Sequence, residues 1–278
     1  MILPTQNHAP PAFVDAIGKP HAAADATPRI VSLVPSLTEL LCDLGLGGSL
    51  VGRTGFCVHP RETVRTIPKV GGTKDVRMER VRELAPTHVI VNIDENEKAT
   101  VEELARFVPH VVVTHPLAPL DNLALYRLLG GIFGHTAQAE ALCAEFDRAY
   151  FETITACSRL PRQRVLYLIW RKPWMTVGRD TYISRTLALV GWDTLPAESS
   201  IRYPVIELNA ATLHGADLIL LSSEPYRFRA RDVAGVEKLV PAGAPRSVRL
   251  IAGELASWYG SRAIAGLREL ARLRNARE

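Results

Sequence analysis

Residues 29–46 read RIVSLVPSLTELLCDLGL, and this stretch decides the fold class. The run of β-branched residues and leucine at residues 30–34, broken only by Ser32, is typical of a strand that is covered on both faces of its sheet. Pro35 ends this strand, and the leucines that follow at helical spacing predict an amphipathic helix that Gly45 terminates. We expect Ser36 to cap this helix, because an acidic residue stands three positions later as in a capping box.

A second stretch repeats the strand, loop and helix, and it reads RVLYLIWRKPWMTVGRDTYISRTLALVGW at residues 164–192. Each half then contains a helix that leads into a buried-type strand, MERVRELAPTHVIVN at 78–92 and ELNAATLHGADLILLSS at 207–223. Each half closes with one more apolar strand, HVVVTH at 110–115 and VRLIAGE at 248–254. Because strands that alternate with helices build parallel sheets, the repeat predicts an α/β protein with two Rossmann-like lobes. We expect a ligand cleft between the lobes.

The chain is predicted to have four parts. We expect a poorly ordered N-terminal extension at 1–28, an N-terminal α/β lobe at 29–119, a linking helical spine at 120–160 and a C-terminal α/β lobe at 161–278. Residues 136–160 contain neither Gly nor Pro. The spine is therefore predicted to be a long, rigid helix that joins the lobes.

The composition is that of an ordinary soluble protein, with 47% hydrophobic and 22% charged residues among 278. A net charge of +4 permits an anionic ligand. Nucleic acid is not expected as a partner, because no run of Lys and Arg is interleaved with aromatic residues. No apolar stretch is long enough to cross a bilayer, so we do not expect a membrane-embedded protein. We expect a monomer.

The sequence contains none of the common catalytic or phosphate-binding motifs, neither G-x-S-x-G nor G-x-x-x-x-G-K-[ST] nor G-x-G-x-x-G. The eight histidines do not form an H-E-x-x-H motif, and the four cysteines do not form a C-x-x-C pair. We therefore expect neither an enzyme nor a metal site made by the protein alone, and no intrinsic cofactor.

Basic and aromatic side chains follow the predicted strands, at the rim where open α/β sheets bind ligands. Arginines and aromatic planes suit a flat or acidic ligand through charge-assisted bonds and stacking. Each candidate also fits a simpler interpretation, either a solvated loop or packing against the core. The candidate ligand-binding residues are Arg53, Asn92, Arg171, Lys172, Trp174, Tyr226, Arg227, Arg229, Trp258 and Tyr259.

Five segments carry a resemblance to a known family, and they stand in its order: VPSLTELLCDLGLGGSLVG, VHP, GGTKDVRMERVRELAPTHVIVN, VGRDTYISRTLALVGW and WYGSRAIAGLREL. The chain resembles the class III, helical-backbone metal-receptor proteins that bind solutes for ABC importers, and it looks most like the cobalamin-binding members. The resemblance implies two lobes joined by one rigid helix. It also implies an acidic residue on each lobe that docks to a permease, here Glu79 and Asp180.

The resemblance implies a periplasmic solute-binding protein that captures a metal chelate, which is a corrinoid, a ferric siderophore or a haem-like compound. The loops at 73–75 and 92–94 lack the aromatic residues that face the corrin in the cobalamin receptor, which weighs against cobalamin. Residues 1–28 lack the basic and apolar regions of a secretory signal. A cytoplasmic binder in cofactor salvage or sensing is therefore one alternative, and a small enzyme on this scaffold is another.

Overall fold

The computed structural model describes residues 13–24, 27–240 and 247–276. Short strands and helices alternate through the first half of the chain. They are β1 (Phe13–Val14), β2 (Pro20–His21), β3 (Ile30–Ser32), α1 (Pro35–Asp43), β4 (Leu50–Arg53), α2 (Arg61–Val64), α3 (Met78–Glu83), β5 (His88–Asn92), α4 (Lys98–Leu104), β6 (His110–Thr114), α5 (Asp121–Ile132) and α6 (Thr136–Cys157).

The second half repeats this alternation and adds two short strands. Its elements are β7 (Gln163–Leu168), β8 (Trp174–Met175), α7 (Tyr182–Leu189), β9 (Trp192–Thr194), β10 (Val205–Ile206), α8 (Ala210–His214), β11 (Leu218–Ser222), α9 (Ala230–Glu237), β12 (Val248–Ile251), α10 (Glu254–Ser257) and α11 (Arg262–Asn275).

Two four-stranded parallel sheets have the same topology. In the first sheet the strand order is β4-β3-β5-β6, and in the second it is β9-β7-β11-β12. In each sheet, the strand that comes first in the sequence lies between the second and the third, and the fourth forms one edge. The predicted repeat and the predicted α/β fold with two lobes are confirmed. The added strands β8 and β10 pair antiparallel with each other in the second half.

The central strands are buried on both faces, which explains why their sequences are continuous apolar runs rather than alternating ones. Along β7, Val165 and Tyr167 belong to one apolar cluster, whereas Leu166 and Leu168 belong to another. Since successive side chains point to opposite faces of a strand, these clusters are the two layers between the sheet and its helices.

The helix α1 begins two residues earlier than it would with Ser36 as its N-cap. Val34 is the N-cap and Pro35 is the first helical residue, a position where the missing amide hydrogen of proline costs nothing. The buried Ser36 hydroxyl has no partner among the described residues. The predicted capping box is therefore wrong, whereas the stop at Gly45, which has a φ of 87°, is confirmed.

The N-terminal segment is ordered where the structure describes it. Strands β1 and β2 form an antiparallel hairpin, and the amide of Ala24 donates to the carbonyl of Ile132 at 2.7 Å. The prediction of a poorly ordered extension at 1–28 is thus wrong for residues 13–24. Residues 1–12 and 25–26 of that prediction lie outside the described residues. Residues 27–28 are described and belong to no helix or strand.

The chain divides into two compact units. The first unit comprises the described residues up to His115 together with Asn122–Cys143, and the second comprises Pro116–Asp121 and the described residues from Ala144 onward. The last point at which the chain passes from one unit to the other, after Cys143, lies inside α6, which is 22 residues long. In the second unit, Arg268 of α11 bridges Glu145 and Glu152 of α6 at 2.7 and 3.1 Å.

Candidate functional site

Two neighbouring strands of the second unit end side by side and carry the loops with most of the predicted residues. Leu168 at the end of β7 pairs with Leu221 of β11. The two loops that follow are joined by a hydrogen bond of 3.2 Å from the Tyr226 amide to the Ile169 carbonyl. This is the carboxyl edge of a parallel sheet, where α/β proteins bind ligands.

Four aromatic rings from these loops form a contiguous group, which we name the aromatic cluster: Trp170, Trp174, Tyr226 and Phe228. Trp170 meets Tyr226 edge to face at 5.7 Å, Tyr226 meets Phe228 at 4.7 Å, and Phe228 stacks parallel to Trp174 at 6.0 Å. Phe228 is buried in the core, whereas Trp170 is 39% exposed. Phe228 therefore anchors the cluster in the core, and Trp170 presents part of its ring at the surface.

The Arg171 guanidinium is held beside this cluster. It lies 5.6 Å from the centre of the Trp174 ring and forms an ion pair with the buried carboxylate of Asp232. Asp232 also accepts a hydrogen bond of 2.9 Å from the Arg229 amide at the start of α9. A planar guanidinium between a ring and a carboxylate has a fixed orientation. The positive charge of Arg171 is thus largely compensated within the unit.

The structure brings six of the ten predicted ligand-binding residues together. They lie on the two segments that follow β7 and β11, with Trp174 and Tyr226 in the cluster and Arg171 against it. The other three have exposed side chains and are Lys172, Arg227 and Arg229. Sequence reasoning missed Trp170 and Phe228, although the strand-end rule that selected Arg171 applies equally to the tryptophan before it.

Trp258 and Tyr259 lie in the interior of the second unit. Only 8% of Trp258 and 6% of Tyr259 is exposed. The guanidinium of Arg262 lies 5.0 Å from the Trp258 ring centre, and Tyr182 meets Tyr259 edge to face at 5.8 Å. Of the two interpretations of these residues, stacking on a ligand or packing, their surroundings are those of packing.

Arg53 and Asn92 are also buried, in the first unit. The Arg53 side chain donates to the carbonyls of Val64 and Thr54 at 2.6 and 3.0 Å, and the Asn92 side chain donates to the Thr114 hydroxyl at 3.3 Å. These bonds hold loops at the carboxyl edge of the first sheet. Both side chains are occupied within the unit, and their contact with a ligand stays a prediction.

The first unit exposes apolar side chains at its own carboxyl edge, which the sequence did not reveal. Phe56, on the loop after β4, is 63% exposed, and Val58 and Ile93 are also exposed. A Cβ on Gly72 would lie 3.3 Å from the Phe56 ring, so the loop at 71–72 passes directly beside it. Phe56 gave no sequence signal beyond its place in a loop rich in turn-forming residues.

The two predicted docking carboxylates are both exposed, but they do not occupy equivalent places in the two units. Glu79 is in the first turn of α3, which precedes β5, whereas Asp180 lies just before α7. By strand order the counterpart of α3 is α8, which precedes β11 and has the neutral Ala211 as its second residue, where α3 has Glu79. Each carboxylate has a local partner, Arg82 for Glu79 and Arg185 for Asp180.

The described residues were also compared with the requirements of a metal site and of a membrane span. Within the described ranges, no group of three or more His, Cys, Asp or Glu side chains could hold a metal ion. None of the helices in the described part of the chain is long and apolar enough to cross a membrane.

Comparisons with known proteins agree on one family. The model of the family described as periplasmic binding protein matches residues 30–240. A vitamin B12-binding protein of Pectobacterium atrosepticum is 25% identical over 190 residues, which are 66% of this chain and 68% of that protein. A vitamin B12-binding protein of Yersinia pestis is 24% identical over 205 residues, or 72% of this chain and 71% of that protein.

Solved structures show the same fold at lower identity. A periplasmic vitamin B12 binding protein of Vibrio cholerae has a TM-score of 0.73 at 16% identity and covers 90% of this chain and 98% of its own. A periplasmic heme-binding protein from Roseiflexus has a TM-score of 0.76 at 22% identity, with the same coverage of 90% and 98%. These likenesses establish the two-lobed α/β fold.

Proposed function

Because this chain belongs to the periplasmic binding protein family, we propose that it is the solute-binding protein of an ABC importer and captures a metal chelate in the periplasm. Relatives with this fold are named for binding vitamin B12 or heme, and both are metal-containing macrocycles. The proposed action is capture and delivery of the chelate without chemical change.

The aromatic cluster is the observation that carries this proposal. The broad face of a macrocycle can stack on Trp170 and Tyr226, since offset and edge-to-face ring contacts are favourable. Acidic groups at the rim of such a ligand would meet the exposed Arg227 and Arg229, because guanidinium groups bind carboxylates through paired hydrogen bonds. Arg171 contributes less charge, because Asp232 compensates it.

A binding screen with coloured chelates tests the proposal. The purified chain would be mixed with cobalamin, cobinamide, haem and a set of ferric siderophores, freed of excess ligand on a sizing column, and measured for visible absorbance. A coloured protein peak with one ligand per chain is expected, and the ligand extracted from it should be chemically unchanged. A colourless peak across the whole panel would contradict chelate capture, and altered ligand would point to an enzyme.

The variant Trp170→Ala tests whether the aromatic cluster is the binding surface. We expect its affinity for the retained chelate to fall about tenfold, which corresponds to ~1.4 kcal/mol, because one ring of the stack is lost. Fluorescence titration would measure the dissociation constant. Phe151→Ala is the matched control, because Phe151 is an exposed aromatic residue on α6 of the same unit. Equal affinities of the two variants would show that the ligand binds elsewhere.

A further inference from the structure

Glu224 lies on the loop that carries Tyr226, and its carboxyl bonds to residues that follow another strand. The residue is half-buried. The Ser257 hydroxyl donates to its Oε1, and the Trp258 side chain forms a second hydrogen bond to the same carboxyl. Since Ser257 ends α10 and Trp258 follows it, the carboxyl joins the loop after β11 to the segment after β12.

Gly253, on the segment after β12, packs tightly against side chains of the loop after β11. A Cβ on Gly253 would lie 2.4 Å from Cγ of Glu224 and 2.4 Å from the hydroxyl of Ser222. The Gly253 amide also donates to the Ser223 hydroxyl at 2.9 Å. There is accordingly little space for the Glu224 side chain to reorient while the loop stays in place.

Several charged and titratable groups face this carboxyl. Glu254 and Arg262 form an ion pair of 3.2 Å beside it. The Tyr167 hydroxyl donates at 3.1 Å to Ser222, whose own hydroxyl donates to the backbone carbonyl of Glu224 at 2.6 Å. Burial raises the pKa of the Glu224 carboxyl, the charge of Glu254 adds to this effect, and the hydrogen bonds and Arg262 oppose it. Desolvation of the charged form therefore exceeds the compensation offered by its partners.

We propose that Glu224 is a positioning residue for the aromatic cluster, whose protonated form holds the Tyr226 loop in place and whose ionised form loosens it. This inference rests on the proposed function. A carboxyl with a raised pKa in the docked loop binds its proton more tightly there than in an open, hydrated loop. Docking is then strongest below the ordinary value of 4.5 and weakens as the pH rises through the raised pKa.

Hydrogen–deuterium exchange without any ligand tests the loop itself. After correction for chemical exchange rates, amides at 223–229 should be several-fold better protected at about pH 5.5 than at about pH 7.5. Glu224→Gln, which cannot ionise, should remove this pH dependence and keep the acidic level of protection at both values. Glu237→Gln, an exposed carboxylate on α9, should behave like the parent chain.

Binding measured with cyanocobalamin and haemin as probes tests the consequence for the ligand. The affinity of the parent chain for a retained probe should fall several-fold between these pH values, whereas that of Glu224→Gln should stay constant. If neither probe binds, the proposed function fails for them while the exchange experiment still decides the role of the loop. Loop protection in the parent chain that does not vary with pH would overturn the proposal, even if the glutamine variant did not fold.

Discussion

The imidazole of His88 makes the first unit sensitive to acid. His88 is buried on β5, stacks on His110 at 4.7 Å and meets Phe133 edge to face at 5.0 Å. Burial, with smaller contributions from His110 and His21, lowers its pKa from 6.5 to about 4. Between these values the unfolded chain binds more protons than the folded one. The free energy of unfolding should therefore fall by about 3 kcal/mol as the pH drops through this range.

Urea unfolding at several pH values between neutral and about pH 4 would measure this loss. His88→Gln should be less stable than the parent chain at neutral pH, because it loses ring contacts, but its stability should change less on acidification. His214→Gln replaces an exposed histidine on α8 and should retain the full acid response. A parent-like response in the His88 variant would assign the acid sensitivity to other groups.

The sequence predicted individual site residues by one rule, which is that α/β proteins bind ligands at the carboxyl ends of their strands. That rule identifies the two segments on which Trp174 and Tyr226 stand, but it does not say which side chains of a segment turn inward. Arg53 stands at the end of a strand and Arg171 just after one, yet two carbonyl acceptors hold Arg53 in the interior. Trp258 was equally ambiguous, because the strand before it does not reveal its contacts with Arg262 and Glu224.

At the scale of the element, one carboxylate attaches the N-terminal hairpin to the first sheet. Asp15 accepts hydrogen bonds from the amides of Ile17, Lys19 and Val113 at 3.1, 2.9 and 3.1 Å, and Nε2 of His21 lies 3.0 Å from it. In Asp15→Asn an NH2 group would replace an oxygen that faces these donors. We expect the free energy of unfolding to fall by about 1–3 kcal/mol, the usual cost of an unsatisfied buried group.

Thermal and urea unfolding would show this loss. Asp147→Asn, an exposed position on α6, is the matched control and should leave stability unchanged. Equal stabilities of the two variants would mean that the hairpin contributes little to the first unit. Proteolysis within residues 13–24 of Asp15→Asn offers a second measurement, since a detached hairpin is cleaved faster.

Long elements were easier to predict than this hairpin for a physical reason. The central strands β5, β7 and β11 contain continuous apolar runs, because both of their faces are covered, and α6 is free of Gly and Pro. The hairpin has strands of two residues and is fixed by a contact with Val113, nearly a hundred positions away. No local pattern records such a contact.

At the scale of the whole molecule, an importer must recognise the binding protein, and the expected recognition uses one carboxylate on each unit. Glu79 is 83% exposed and Asp180 is also exposed, so both are accessible to arginines of a permease. Glu79→Ala and Asp180→Ala should each lower ligand uptake roughly tenfold, the effect of losing about 1.4 kcal/mol of docking energy. Neither variant should change the ligand affinity of the purified chain.

Uptake by cells in which each variant replaces the parent chain would measure docking, and titration of the purified proteins would measure binding. Glu83→Ala, an exposed carboxylate on the same helix as Glu79, should transport normally. Since Ala211 rather than Asp180 holds the place in α8 that Glu79 holds in α3, the two variants are informative separately. Loss of uptake in Glu79→Ala alone would mean that docking to the second unit relies on another group, and normal uptake in both would exclude carboxylate docking at these positions.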